Sequence, residues 1–325
     1  MEIRRLQVFS KVVELQSFTK AAEACGFSQP TVSEHIRILE EFFGDKLLER
    51  HGRKVAPTAV GKILYQYARR LIQLEEDTFQ AIEKFRGDMS GTLVIGASNI
   101  PGSYLLPRLI GSFKDKYPAI KLIMKISDSN DICKKLIENF IEIAVLGADF
   151  PEDSRLELAE VFSDRLLLVV HPDHRLARRT TVKLAEIVGE PFIFRDKGSG
   201  TRNVLTQILE KSGFDPLSLD VVAEFGNMEA IRQGVKANVG VSILSTLAVE
   251  EDIRRGGIVG IPVEDAPLCR PFFLTRRRHH ILSPIAEEFQ KHLLSEFEKL
   301  NREMSSDGSA KISPALSSSF LQTHP

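Results

Sequence analysis

The sequence predicts an α/β protein preceded by a small all-α unit. Three observations carry this. From residue 91 to about 300, β-branched runs alternate with helical segments. Examples are Thr92-Leu93-Val94-Ile95-Gly96, Ile120-Lys121-Leu122-Ile123-Met124, Ile141-Glu142-Ile143-Ala144-Val145-Leu146 and Leu166-Leu167-Leu168-Val169-Val170. Alternation of this kind is the pattern of βα units and a largely parallel sheet. Residues 1–57 read as short helices followed by a basic turn. Residues 58–87 form one long amphipathic helix between the two.

At 325 residues the chain suits two or three domains. Lys and Arg number 43 and Asp and Glu 44, a formal net charge of −1. Bulk charge gives no sign of nucleic acid, so any DNA contact needs a local patch. No run approaches the ~18 apolar residues of a membrane span. The opening Met1-Glu2-Ile3-Arg4-Arg5 lacks the apolar stretch of a secretory signal, so a cytoplasmic location without membrane contact is expected. Cys25, Cys133 and Cys269 are far apart and odd in number, which supports neither a disulfide framework nor a zinc site. They read as small buried hydrophobes.

Ile3, Leu6, Phe9, Val12 and Val13 recur at helical spacing and give a first helix one apolar face. A second helix covers about 19–25. Gly26 interrupts it, and Ser28 is placed to cap a third helix from Gln29, with Pro30 in its first turn where a missing N–H costs nothing. Val32, Ile36, Leu39 and Phe43 are its inward stripe. Small Ala22 before Gly26 and aliphatic Val32 after it fit the close crossing of a helix-turn-helix. Such a unit sets the N-terminus of its second helix in the major groove. Ser28, Gln29, Pro30, Thr31 and Ser33 then lie at the groove, and Arg37 reaches a base or a phosphate. Leu47-Leu48-Glu49-Arg50 and Val55-Ala56-Pro57 pair as a short hairpin around His51-Gly52-Arg53-Lys54. Its basic tip, with Arg50 and Arg53, suits phosphates or the minor groove. Residues 1–58 hold nine Lys and Arg against eight Asp and Glu, so the positive excess is small and sits in that turn.

Five blocks in order carry a family resemblance. They are Ser17-Phe18-Thr19-Lys20-Ala21-Ala22, Ser28-Gln29-Pro30-Thr31-Val32-Ser33, Ile38-Leu39-Glu40, Gly44-Asp45-Lys46-Leu47-Leu48-Glu49-Arg50 and Pro57-Thr58-Ala59-Val60-Gly61. Together they resemble the signature of LysR-type transcriptional regulators, over about residues 1–300. The resemblance implies a winged helix-turn-helix over 1–58 and a linker helix and hinge over 59–90. It also implies a two-lobed, periplasmic-binding-protein-like (type 2) effector domain over 91–301. A tail, 302–325, rich in Ser, Pro and Gly, reads as disordered. The implied partners are double-stranded DNA bearing an inverted repeat, a small effector, a second or further copies of the chain, and RNA polymerase. The Ala97-Ser98-Asn99-Ile100-Pro101-Gly102-Ser103-Tyr104-Leu105-Leu106-Pro107 run also resembles the branch linked to sulfur assimilation and selenium metabolism.

In the linker helix, Thr58 is a candidate N-cap. Val60, Leu64, Tyr67, Leu71, Leu74, Thr78, Ala81 and Phe85 alternate in steps of four and three, a heptad seam that predicts pairing with a second copy.

The effector domain divides into two α/β halves, lobe I (91–161 with 267–301) and lobe II (162–266). Two crossings between halves create a cleft, with ligands expected at the carboxyl ends of strands. Ser98, Asn99, Ile100, Pro101, Gly102 and Ser103 follow the first strand. Ser127 and Ser129 follow the second, and Gly147 follows the run 141–146. Gly198, Ser199, Gly200, Thr201 and Arg202 open a long helix, and Asn227 opens another. Free N–H groups at helix N-termini, hydroxyl donors and close glycine backbone suit a small anion. Gly-Ser-Gly-Thr-Arg resembles the ligand loop of many LysR-type proteins and lacks the Gly-Lys-Ser/Thr ending of a Walker loop.

A solute-binding protein and an enzyme on the same two-lobed scaffold are the competing readings. The helix-turn-helix and the missing leader argue against the first. His171, His174, His279 and His280 do not assemble with a nucleophile and an orienting group, so no catalytic residue, metal or cofactor is expected.

Overall fold

The computed structural model describes residues 2–51, 54–86, 89–147, 153–196, 199–266 and 268–306. The chain divides into two compact units, the first ending at Ser90 and also taking Glu138–Phe140, the second starting at Gly91. Most of the expected tail, 307–325, the hinge pair 87–88, and Arg53 and Gly198 lie outside the described residues, as does the side chain of Arg50. Among the described residues no helix is long and apolar enough to cross a membrane.

The first unit contains helices α1 (Ile3–Leu15), α2 (Phe18–Cys25), α3 (Gln29–Phe43) and α4 (Ala59–Arg86), with a hairpin of β1 (Leu48–His51) and β2 (Lys54–Pro57) before α4. Ser17 caps α2 by accepting the Lys20 N–H, and Gly26 ends it at φ +69°, where a side chain would be strained. Ser28 caps α3 by accepting the Thr31 N–H at 3.3 Å. Leu6, Phe9, Val12, Ala22, Val32, Ile36 and Leu39 close one core. Phe43, expected in the inward stripe, is 39% exposed. It lies in the last turn of α3, beyond that core, and meets Phe42 edge-on at 5.1 Å.

The hairpin forms in antiparallel register from Leu48↔Pro57 to His51↔Lys54. Thr58 caps α4 by accepting the Gly61 N–H at 3.0 Å, while its own hydroxyl donates to Lys46 O at 2.7 Å. The heptad seam needs correction. Leu64 is buried, and Val60 and Leu71 pack on the same core, so these seam residues serve their own unit. Among the described side chains of α4, the large apolar ones left exposed are Ile63, Tyr67, Leu74, Phe79 and Ile82, of which Ile63, Tyr67 and Leu74 share one face.

The second unit begins with β3 (Gly91–Ser98), a π-turn (Pro101–Leu105) and α5 (Leu106–Lys116), followed by β4 (Ile120–Ser127), α6 (Ser129–Ile137) and β5 (Ile143–Leu146). Then come β6 (Leu156–Val170), α7 (Leu184–Val188), β7 (Pro191–Arg195), α8 (Gly200–Lys211), β8 (Asp220–Phe225) and α9 (Met228–Lys236). β9 (Ser242–Ser245), α10 (Thr246–Arg254), β10 (Val259–Ile261), β11 (Cys269–Arg277) and α11 (Pro284–Ser306) complete it.

The largely parallel sheet expected is instead mixed. β3 pairs parallel with β4 and β5, but β11 is antiparallel to both β5 and β6, and β6 is antiparallel to β9 and β10. The cause is β6 and β11, which carry the chain out of lobe I and back, and so run in opposite senses. The expected lobe boundary at 161/162 falls inside β6. β7 pairs parallel with β8 and is tied to Val241, just before β9, by Ile193 N–H to Val241 O and Val241 N–H to Pro191 O (2.8 and 2.7 Å).

Lobe II packs on Leu168, Val170, Phe192, Leu205 and Ile243. In lobe I, Phe113 meets Phe289 of α11 edge-on at 5.0 Å. Of the cysteines, Cys133 is buried as expected, but Cys25 is half-buried and Cys269 exposed. Cys269 starts β11, where alternation turns it away from the face that carries Arg270, Phe272 and Leu274.

Candidate functional site

The two units each carry a candidate surface. In the first, Ser28, Gln29, Pro30 and Thr31 are exposed at the N-terminus of α3, and Ser33 is half-buried. Their side chains are organised among themselves: Ser28 Oγ and Thr31 Oγ1 share a hydrogen bond at 2.8 Å, and Gln29 Nε2 donates to Ser33 Oγ at 2.9 Å. Arg37 is exposed but held between Glu34, at 2.6 Å, and Glu41. A phosphate approaching Arg37 has to displace two carboxylates, so this residue is less available than its spacing implied.

In the second unit, loops from both lobes converge on a narrow gap whose free volume is only about 10 Å³. Ser98, Asn99 and Ile100 enter from the end of β3, Ser129 from the first turn of α6, and Gly147 from beyond β5. Ser199, Gly200 and Thr201 face them from the N-terminus of α8. The lobes touch closely there: a Cβ on Gly200 would lie 2.7 Å from Gly147 O. Gly147 N–H donates to Ser98 Oγ at 2.9 Å, which orients the Ser98 hydroxyl and leaves its own proton to donate. Ser199 occupies the N-cap position of α8 without a side-chain capping bond. The α6 and α8 N-termini add unsatisfied N–H groups and positive dipole ends.

Three charged residues in this lining are not among the sequence-based candidates: Asp128, Arg195 and Arg270. Asp128 caps α6 by accepting the Asp131 N–H at 2.9 Å. Arg195, 4% exposed, ends β7 and is held by Asp196 at 3.0 Å. Arg270, 3% exposed, donates from Nη1 to Thr201 Oγ1 at 2.7 Å and from Nη2 to the buried carboxylate of Asp164. Ser245 Oγ donates to the other Asp164 oxygen at 2.8 Å. Burial pushes the Asp164 carboxyl up, against the pull of Arg270 and Ser245. Arg270 Nε is buried without a hydrogen-bond partner. A guanidinium donor in that position costs stability unless something accepts from it.

Sequence signals for these residues existed. In Cys269-Arg270-Pro271-Phe272-Phe273-Leu274, alternation puts Arg270 on the face of Phe272 and Leu274, an unusual place for a charge. Asp164 likewise interrupts a long apolar run.

The remaining candidates lie elsewhere. Arg202 turns out of the gap: it covers the Phe194 ring at 4.4 Å, donates to Arg195 O at 2.7 Å and pairs with Glu224. Pro101 and Gly102 are buried, with Gly102 packed so tightly on Ala97 and Ile126 that a Cβ would lie 2.9 Å from each. Ser127 bonds the Asp131 carboxylate instead. Ser103 and Asn227 line a second, wider space with Asn99 and Tyr104, and Asn227 caps α9 by accepting the Ala230 N–H at 2.8 Å. Among the described residues no His, Cys, Asp and Glu cluster suits a metal ion.

Two family matches cover these two units. Residues 3–62 match the bacterial regulatory helix-turn-helix protein of the lysR family, and residues 86–298 match the LysR substrate binding domain. The chain belongs to the LysR family of transcriptional regulators. A LysR-family relative, the RuBisCO operon transcriptional regulator of Allochromatium vinosum, is 30% identical over 302 residues, covering 93% of this chain and 98% of that protein. An HTH-type transcriptional regulator of Methanocaldococcus jannaschii is 32% identical over 277 residues, covering 85% and 93%. Among solved structures, full-length CbnR complexed with its target DNA is similar in fold, with a TM-score of 0.67 and 22% identity over 90% of this chain and 99% of that one. The regulatory domain of Synechocystis CcmR in complex with 2-PG matches at a TM-score of 0.59 and 25% identity, covering 64% of this chain and 98% of that domain. This LysR-family chain is thus a DNA-binding regulator with an effector-binding domain.

Proposed function

We propose that the interlobe gap binds a small anionic effector and that its occupancy alters transcription from promoters bearing an inverted repeat. One observation carries the ligand class. Two buried guanidinium groups, Arg195 and Arg270, line the same gap as Ser98, Ser129, Ser199 and Thr201 and the N-termini of α6 and α8. Donors and positive charge converge there, and Asp164, Asp196 and Asp128 do not satisfy all of them. CcmR, solved with 2-PG, lends this reading support by likeness.

DNA is read by Ser28, Gln29, Pro30, Thr31, Ser33 and Arg37 on α3, with Arg50 and Arg53 of the hairpin on phosphates or the minor groove. The working form is a homodimer or a dimer of dimers, and RNA polymerase is a further partner. Assignment to the sulfur and selenium branch rests on the 97–107 run alone; the relatives named above regulate RuBisCO genes or carry a general name.

The test uses the full chain and inorganic phosphate. Phosphate should raise the melting midpoint of the wild type. Ser129→Ala, Ser199→Ala and Thr201→Ala should each shrink that rise, while operator affinity at fixed salt stays within about twofold. An undiminished rise in all three variants would remove the gap as the anion site.

A further inference from the structure

Pro30, Glu34, Arg37 and Glu41 are exposed and follow one another at steps of four, three and four along α3. They form one stripe, opposite Val32, Ile36 and Leu39 in the core. Pro30 and Arg37 in this stripe are expected at DNA, but Glu34, one turn beyond Pro30, has no part in that expectation. It is a carboxylate on the face that meets a polyanion, and such a group is repelled unless a cation or a hydrogen-bond donor compensates it.

Arg37 supplies the cation. Its Nε donates to Glu34 Oε2 at 2.8 Å and its Nη2 to Glu34 Oε1 at 2.6 Å, a fork that fixes the plane of the carboxylate. Its Nη1 donates to Glu41. All three guanidinium nitrogens are thus committed to carboxylates, and the three side chains together carry a charge of −1. Hydrogen bonding to Arg37 holds the Glu34 carboxyl below the usual carboxylate range, so it stays ionised and accepts only. Each Glu34 oxygen takes one bond from Arg37 and keeps a second lone pair free. In the major groove only two base groups donate: the N4 amino group of cytosine and the N6 amino group of adenine. Adenine sets its N7 acceptor beside N6, against the second carboxylate oxygen. Cytosine presents the donor alone.

We infer that Glu34 is a base-reading residue, which accepts a hydrogen bond from the N4 amino group of one cytosine in each operator half-site, and that Arg37 is the positioning residue that fixes its carboxylate. This rests on α3 as the helix that enters the groove. It gives Arg37 a part played through Glu34 in place of a direct contact with phosphate. The fork offsets the charge that Glu34 brings to DNA and holds both oxygens in one plane, so a single pattern of base edges satisfies them. Thymine or guanine at the same place would set O4 or O6 against the carboxylate, acceptor against acceptor, and is rejected on that ground.

Selection of sites from a random double-stranded DNA library by the full chain, at fixed salt, tests this. The wild type should select one invariant C in each half-site and prefer it about tenfold over T in competition binding. Glu34→Ala should reduce that preference to under about twofold and keep the other positions. Glu34→Gln should move it from C to A, because an amide pairs with adenine N6 and N7. Arg37→Met should relax the same position and leave the slope of log affinity against log salt unchanged, whereas loss of a phosphate contact lowers that slope by about one. The assignment is overturned if the wild type selects no such C, or if Glu34→Ala selects the same sites as the wild type. It is equally overturned if Arg37→Met loses salt slope with its base profile intact. Gln29→Ala separates this from the reading beneath it. If Gln29→Ala changes the profile and Glu34→Ala does not, Glu34 alone is wrongly assigned. If neither changes it, α3 is not the reading helix.

Discussion

Gly61 lies in the first turn of α4, and a Cβ there would stand 2.0 Å from Leu47 O and 3.0 Å from the Leu47 carbonyl carbon. Both atoms are backbone, so neither can rotate away. The same turn is pinned by Thr58, whose hydroxyl bonds Lys46 O and whose N–H donates to Leu47 O at 3.0 Å. Gly61→Ala must therefore push α4 off the hairpin. The expected loss is about 1–3 kcal/mol, as for overpacked cores, read as a lower urea midpoint of the first unit's transition. An unchanged midpoint would mean that the helix start is looser than this packing. The residue was legible in sequence as part of the Pro57–Gly61 block, but its reason was not: a signature shows that a glycine is present, not what approaches it. Arg270 shows the converse. Nothing in a family block marked it, yet a charge on the apolar face of a strand is a physical signal that needs no relative.

At the scale of elements, α4 illustrates where periodicity stops being informative. The spacing of Val60, Leu64, Tyr67, Leu71 and Leu74 indicated one seam, but two faces of the helix are apolar. Leu64 is 8% exposed on the unit's own core, whereas Leu74 is 62% exposed. A four-three repeat cannot tell which partner covers which face, because both faces follow the same 3.6-residue turn. The structure separates them and predicts opposite phenotypes. Leu74→Glu should shift the full chain toward monomer in sedimentation velocity without changing its helix content. Leu64→Ala should cost about 2–5 kcal/mol of stability and leave the mass of the folded protein unchanged. Loss of dimer in Leu64→Ala alone would reverse the assignment. The sheet carries a related lesson: β-branched runs revealed the strands, but not their sense. The antiparallel pairing of β6 with β11 depends on where the chain returns, which no local run encodes.

For the whole molecule, a net charge of −1 fits a protein whose charge does its work locally. The first unit presents exposed Ser28, Gln29, Pro30 and Thr31 at one end of α3, and the sequence places Arg53 and Lys54 in the hairpin turn. The second buries two arginines among hydroxyls and helix N-termini, where a small anion gains the most from fixed donors. The loops that supply the hydroxyls were legible, since each follows a strand and opens a helix. The arginines facing them came from strand ends and strand interiors, and only the fold brings those positions together. The most direct measurement is the anomalous scattering of selenium in crystals of the protein soaked in selenate, an oxyanion located without model bias. A selenium peak within hydrogen-bonding distance of Arg195, Ser129 and Thr201 is the expected result. Selenate bound at other surfaces while the gap between the lobes stays without a peak would contradict it.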